Sequence, residues 1–200
     1  MRFCDEHDFG FGWMTDEPVP RTSHALVAEG GVWVIDPDSW PPAEERLRSL
    51  GEPRGVVQLL DRHNRDCAAF AERLDVPLYV VPFEPIARAP FEFLHVLRTP
   101  FWRECALWWP ERRALVCADA VGTLPYFLAD GEPVGVHPLL RLKPPRTLAT
   151  VYPLYVLCGH GEGGHGEGIA QALHEAIRSA RRRLPSAWRN GIRHMREQRV

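Results

Sequence analysis

Short apolar runs alternate with Gly- and Pro-marked polar breaks along most of the chain, which predicts many short elements. The aromatic, Gly-rich segment Phe9 to Met14 predicts a strand. Ala25–Ala28 and Val32–Ile35 flank Glu29-Gly30-Gly31, and glycine supplies the positive φ of a tight hairpin turn. Asp36-Pro37 stops the second of these strands. Pro41-Pro42-Ala43-Glu44-Glu45 opens a helix to about Leu50: proline is tolerated in a first turn, and carboxylates suit the helix N-terminus. Val56–Leu60 and Leu78–Val81 are continuous apolar runs of strand length, as expected for buried strands. Between them lie a polar loop, Asp61–Asp66, and a helical stretch, Cys67–Leu74, with Asp66 as a candidate N-cap. Strands follow at Phe93–Leu97, Cys105–Trp109 and Ala114–Ala118. Residues 129–148 contain four prolines and predict a cover loop. A last strand, Tyr155–Cys158, runs into a Gly-rich loop and then the longest helix, Ile169–Arg183, with Ile169, Ala172, Leu173, Ala176 and Ala180 on one face. This order predicts an α/β fold with stacked sheets.

The length, 200 residues, bounds this to one main domain over 1–183, with an Arg-rich tail at 184–200. From Arg178 onward there are eight Arg against one Glu, which predicts a solvated tail, with an interaction module for an anionic partner as the alternative. The formal charge of −2 argues against a dedicated nucleic-acid binder. Five cysteines, scattered and without a CxxC, do not make a secreted disulfide framework. The acidic start carries no signal-peptide pattern, and no apolar stretch has membrane-spanning length. The expectation is a cytoplasmic protein with no membrane partner; a small-molecule ligand is the partner it leaves open.

The chemistry sits in DRHNRDC, Asp61 to Cys67, between a predicted strand and a predicted helix. This strand–loop–helix resembles the signature turn of the metallo-β-lactamase fold family, T-H-x-H-x-D-H, whose His and Asp hold one or two metal ions, usually zinc. SHALVAEGGVWVIDP resembles that family's opening hairpin, RTPFWRECALWWPERRALVCADAVG its middle block, and VLCGHGEG its closing Gly-His loop. The matches are collinear from about residue 20 to 183. The resemblance implies a four-layer αβ/βα sandwich.

The resemblance also implies a degenerate centre. Aligning Asp66 on the motif's Asp puts Arg62 and Asn64 on its first two histidines and Cys67 on its last. Trp102 falls on the third histidine of the first metal site. Arginine keeps its proton and indole offers only a donor, so that site is expected to hold no zinc. The second site would retain Asp66, Cys67, Asp119 and His160, a chemically competent set for a single zinc ion. Two readings follow. In one, Arg62 bridges Asp66 and Asp119 in place of metal, and the protein is non-catalytic or binds a small ligand in the old cleft. In the other, one zinc ion serves a hydrolase of a small ester, thioester or lactone, with Asp66 or Asp119 orienting water. The expected cofactor is therefore none or one zinc ion. His165 is a possible stand-in ligand; His137 and the other histidines lack partners at ligand spacing and read as structural or surface groups.

Overall fold

The computed structural model describes residues 1–63 and 65–197. Its first half is a six-stranded sheet with neighbours in chain order: β1 (Arg2–His7), β2 (Gly10–Met14), β3 (Thr22–Ala28), β4 (Gly31–Ile35), β5 (Glu52–Gln58) and β6 (Leu78–Val80). The first four strands pair antiparallel; β4, β5 and β6 run parallel. Parallel neighbours need a crossover, and helices α1 (Pro41–Leu50) and α2 (Cys67–Leu74) supply it. The hairpin turn sits one residue ahead of the Gly-Gly pair: Glu29 and Gly30 take positive φ, 50° and 73°, and Gly31 already belongs to β4.

The second sheet is ordered β13-β12-β9-β8-β7. It uses β7 (Glu92–Thr99), β8 (Trp102–Trp109), β9 (Ala114–Cys117), β12 (Tyr155–Cys158) and β13 (Gly164–His165), while β10 (Val121–Gly122) and β11 (Gly135–Val136) form a separate ribbon. Helices α3 (Ile169–Ser179) and α4 (Leu184–Glu197) end the described chain.

Strand alternation sorts the apolar residues into two cores. Phe11, Trp13, Val34 and Val56 of the first sheet pack with Leu47 of α1 and Phe70 of α2. Their sequence neighbours Trp33, Ile35 and Val57 point the other way, into a larger core with Leu107, Val116 and Leu157 of the second sheet and Leu173 and Ile177 of α3. The result is a mixed α/β fold of two sheets with helices.

The structure amends four expectations. β5 begins at Glu52, ahead of the expected Val56, because a register shift between Val32 and Trp33 accommodates Pro53, which has no N–H to donate. β1 was not expected: RFCDEH is mostly polar, and Cys4 is its one buried residue. The 169–183 helix stops at Ser179, so α4 is longer, 14 residues against 11. The expected solvated tail is helical over Leu184–Glu197, and α4 docks through Asn190, whose amide donates to the Leu128 carbonyl at 3.1 Å. No described helix is long and apolar enough to cross a membrane.

Candidate metal centre

The site gathers beyond the C-terminal ends of three strands, where open α/β sheets place ligands. Strands β9 and β12 are parallel neighbours with Cys117 opposite Cys158. Asp119 and His160 each lie two residues past that pair, so register alone sets them side by side. Gly159 permits the approach: its N–H donates to the Cys117 carbonyl at 2.8 Å, and a Cβ there would stand 2.7 Å from the Ala118 oxygen. The loop after β5 is tied to β8, with the Asp61 N–H donating to Arg103 O and the Cys105 N–H to Leu59 O, each at 3.0 Å. This carries His63 onto the same point.

His63 Nε2 is 2.9 Å and His160 Nε2 3.2 Å from the same atom, Asp119 Oδ1. Among the described residues these three form the one His/Cys/Asp/Glu cluster able to hold a metal ion, with its ligand atoms all within 4.8 Å of one another. Each imidazole turns its other nitrogen to an oxygen. His160 Nδ1 is 2.9 Å from the Pro20 carbonyl, and His63 Nδ1 is 3.4 Å from Asp36 Oδ2, too long for a good bond and without another partner. Asp36 is itself fixed, since its Oδ1 accepts the Leu59 N–H at 3.0 Å. Histidines of metal sites are usually supported by an oxygen acceptor behind the second ring nitrogen, and here only His160 has that hydrogen bond. Two ligands of one tetrahedral zinc ion stand about 3.3 Å apart, close to the separations here. The donor set could hold a metal ion.

The electrostatics tie the three groups to one another in the metal-free chain. Burial and the neighbouring Arg65 work against a charged His63, but Asp36 and Asp119 outweigh them and raise its pKa to about 9. Burial opposes ionisation of Asp119 too, yet the hydrogen bonds and charges of His160 and His63 hold it well below the usual carboxylate range. Glu104 lies wholly buried behind Asp119. Its Oε1 accepts the N–H groups of Asp119 and Ala120 at 3.0 and 2.8 Å, and its Oε2 accepts the Trp102 indole N–H at 2.8 Å. Burial, reinforced by the Asp119 charge, pushes the Glu104 pKa up to about 7.

The centre opens on a pocket of about 290 Å³ lined by Val19, Asp119, Tyr126, Phe127, His137 and His160. His137 Nδ1 accepts the Leu139 N–H at 3.2 Å, which fixes the proton on Nε2. Nε2 faces the Tyr126 hydroxyl at 3.5 Å. Burial lowers the His137 pKa to about 4, so this ring is neutral at pH 7.

Of the four ligands expected from sequence, Asp119 and His160 come together and Asp66 and Cys67 do not join them. Asp66 is exposed, and its Oδ2 accepts the Ser39 N–H at 2.7 Å, which lowers its pKa; it makes no side-chain cap to α2. Cys67 is a core residue beside Phe70, and burial drives its thiol far above the ordinary range. Arg62 does not bridge Asp66 and Asp119: its guanidinium lies 3.8 Å over the Trp102 ring. Trp102 is buried and donates to Glu104. Asn64 lies outside the described residues. His165 sits in β13 against the Tyr155 ring, outside the cluster.

The residue that the sequence alignment set aside is His63, because a register that includes it gives up Asp66 and Cys67 as aligned ligands. A shift of one position places His63 on the motif's second histidine, Asp61 on the first, Arg65 on the aspartate and Asp66 on the last. Arg65 then explains itself. Buried, it donates to the carbonyls of Thr22, Asp36 and Gly159 at 2.7, 3.0 and 2.9 Å. His137, read as structural from sequence, proves to line the pocket.

No known family model matches the chain, and no curated protein matches it in sequence. Solved structures do. It is similar to a metallo-β-lactamase from Pontibacter korlensis at 12% identity and a TM-score of 0.57, covering 88% of this chain and 98% of that one. The FIM-1 metallo-β-lactamase from Pseudomonas aeruginosa, in a mono-zinc form, matches at 10% identity and a TM-score of 0.57 over 90% of this chain and 96% of that one. The flavodiiron protein from Giardia intestinalis matches at 15% identity and a TM-score of 0.57, over 90% of this chain and 59% of the longer one. The chain has the metallo-β-lactamase fold.

Proposed function

We propose that this chain is a single-metal hydrolase of a small ester, thioester or lactone, in which the fold's dinuclear centre has shrunk to one ion on His63, Asp119 and His160. The observation that carries the reading is the orientation of the two imidazoles, each with Nδ1 toward an oxygen and Nε2 toward Asp119 Oδ1. Two nitrogens and one carboxylate oxygen beside a pocket make the three-ligand set of a catalytic zinc site with an open position. FIM-1, similar in fold, is likewise a mono-zinc form. Arg65 supplies a fixed cation at the motif position that a metal-binding aspartate would hold.

When bound, the ion supplies a water of pKa about 7 and polarises a substrate carbonyl. The chain's own groups do the rest. Asp119 lends its second oxygen, Oδ2, to orient water. Glu104 holds the Asp119 backbone through two N–H bonds. His137 donates toward the Tyr126 oxygen, which leaves the Tyr126 O–H free to meet a developing negative charge in the pocket. The four-layer αβ/βα order and a reducing, cytoplasmic setting for five free, buried cysteines belong to the same reading.

One feature favours a second reading, an inert ionic knot or a ligand-binding cleft. His63 lies between two carboxylates that keep it protonated, its pKa raised to about 9, and a protonated imidazole binds no metal. The test is zinc calorimetry on metal-free protein, followed by turnover of ester, thioester and lactone panels. The hydrolase reading expects zinc uptake and turnover that both vanish in Asp119→Asn. Uptake without turnover of any class points to a metal-bound binding protein, and no uptake points to the knot.

A further inference from the structure

Tyr126 has two working faces. One lines the pocket at Asp119 and His160. The other lines a separate groove of about 250 Å³, formed with Pro138, Leu139, Trp188, Gly191 and Ile192. Consecutive residues line the two spaces, His137 the pocket and Pro138 the groove. Apart from the Tyr126 hydroxyl, no side chain named for the groove carries a polar atom save the Trp188 indole nitrogen. Leu139, Trp188 and Ile192 remain 68%, 53% and 44% exposed, an apolar surface that folding has left uncovered.

Helix α4 carries a glycine where it lines this space. Gly191 lies in its interior, where glycine is the poorest choice after proline. Packing does not demand it, because a Cβ there would meet only Tyr126, at 3.6 Å, an ordinary contact. Gly191 lines the groove beside Tyr126 and puts no side chain into it. The opposite wall is rigid: the buried Arg141 and Glu132 staple residues 127–141 through the carbonyls of Phe127 and Val136 and the Ala129 N–H.

We propose that this groove binds the linear hydrocarbon chain of an acyl ester or thioester, holding its carbonyl at the His63–Asp119–His160 centre. The assignment rests on the hydrolase reading and names its substrate class. In the reaction the water oxygen bonds to the acyl carbon, and the bond to the leaving oxygen or sulfur breaks. One water proton ends on the leaving group, and the other is released as the carboxylate forms. The groove's size suits a flexible chain and excludes a protein helix. The arginines of α4, Arg189, Arg193 and Arg196, line a different hollow on the far side of the Trp188–Ile192 ridge, so the groove itself is uncharged.

The direct test is calorimetric titration of the metal-free, full-length protein with 1-butanol, 1-hexanol and 1-octanol. About 0.8 kcal/mol per buried methylene converts to a Kd roughly fourfold tighter for each one added. Gly191→Leu, which fills the groove with a strong helix former, is expected to flatten that slope, and Gly191→Ala to keep it. No alkanol binding, or a slope unchanged in Gly191→Leu, overturns the proposal. So does a Trp188 fluorescence shift on phosphatidylglycerol vesicles without an alkanol slope, which would assign the face to an anionic lipid surface. Because the titration needs no metal, the two claims fail separately. Zinc uptake and ester turnover without chain-length dependence keep the hydrolase and remove the acyl groove. Alkanol binding in a protein that takes up no zinc removes the acyl-substrate assignment along with the hydrolase.

Discussion

Two buried ionic clusters sit on either side of the Tyr126–Phe127 wall, and they differ in what is left over. In the first, fully buried Arg141 meets Glu132, and both are saturated: the guanidinium also donates to Val136 O at 3.1 Å and Phe127 O at 2.8 Å, and Glu132 accepts the Ala129 N–H at 2.7 Å. Arginine holds its proton, so nothing in the cluster can bind or react. In the second, His63 and His160 turn two nitrogens onto one oxygen of Asp119, beside an open pocket. The lesson is that burial of charge does not mark a site. Convergence of titratable atoms on one accessible point does.

The contrast is sharpest for stability. Arg141→Met should leave the buried Glu132 with only Arg183, 3.9 Å away, as counter-charge and cost about 3 kcal/mol. In a chain of this size that is a Tm loss of roughly 10 °C, readable by calorimetry, with zinc affinity nearly unchanged per folded molecule. A loss under 1 kcal/mol would show that the staple is dispensable.

The second cluster, unlike the first, should respond to alkaline pH. A His63 pKa raised from 6.5 to about 9 stabilises the metal-free fold fully below pH 6.5, and that contribution is lost as pH rises through about 9. The change amounts to up to ~3 kcal/mol. Denaturant unfolding of metal-free protein at pH 6 and pH 9.5 reads it, and His63→Gln should remove most of the difference. On the acid side Asp119, its pKa lowered, contributes above its ordinary carboxylate value and loses that contribution as pH falls through its folded pKa.

Much of the fold was legible because punctuation residues marked it. The proline pair at 41–42, the Gly-Gly turn and the Cys67–Leu74 periodicity gave α1, the β3–β4 hairpin and α2. What stayed hidden lacked a local signal. β1 is polar because it is an edge strand, and β13 is two residues inside a glycine-rich loop. In α4 an arginine excess masked the apolar stripe of Trp188 and Ile192. Asp119 and His160 were legible as the ends of two strands. His63 was not, because the sequence offers two registers one residue apart, and only the distance to Asp119 distinguishes them.

Smaller effects should trace the support around Asp119. Glu104→Gln keeps an oxygen for the two backbone N–H groups but turns an amide donor onto the Trp102 N–H. Zinc affinity should fall ~10-fold, within the range for supporting groups of metal sites; unchanged affinity would make Glu104 a packing group only. The smallest effect belongs to Arg62. Its exposed guanidinium over Trp102 is worth about 0.5–1 kcal/mol, so Arg62→Ala should lower Tm by only a few degrees and leave zinc binding intact.

The central claim is the identity of the metal ligands, and zinc stoichiometry by elemental mass spectrometry after reconstitution and desalting tests it most directly. The account predicts one zinc per chain in the wild type, retained in Cys67→Ala and lost in His63→Ala. Zinc that survives His63→Ala but disappears in Cys67→Ala would move the centre to Asp66, Cys67, Asp119 and His160 and contradict it.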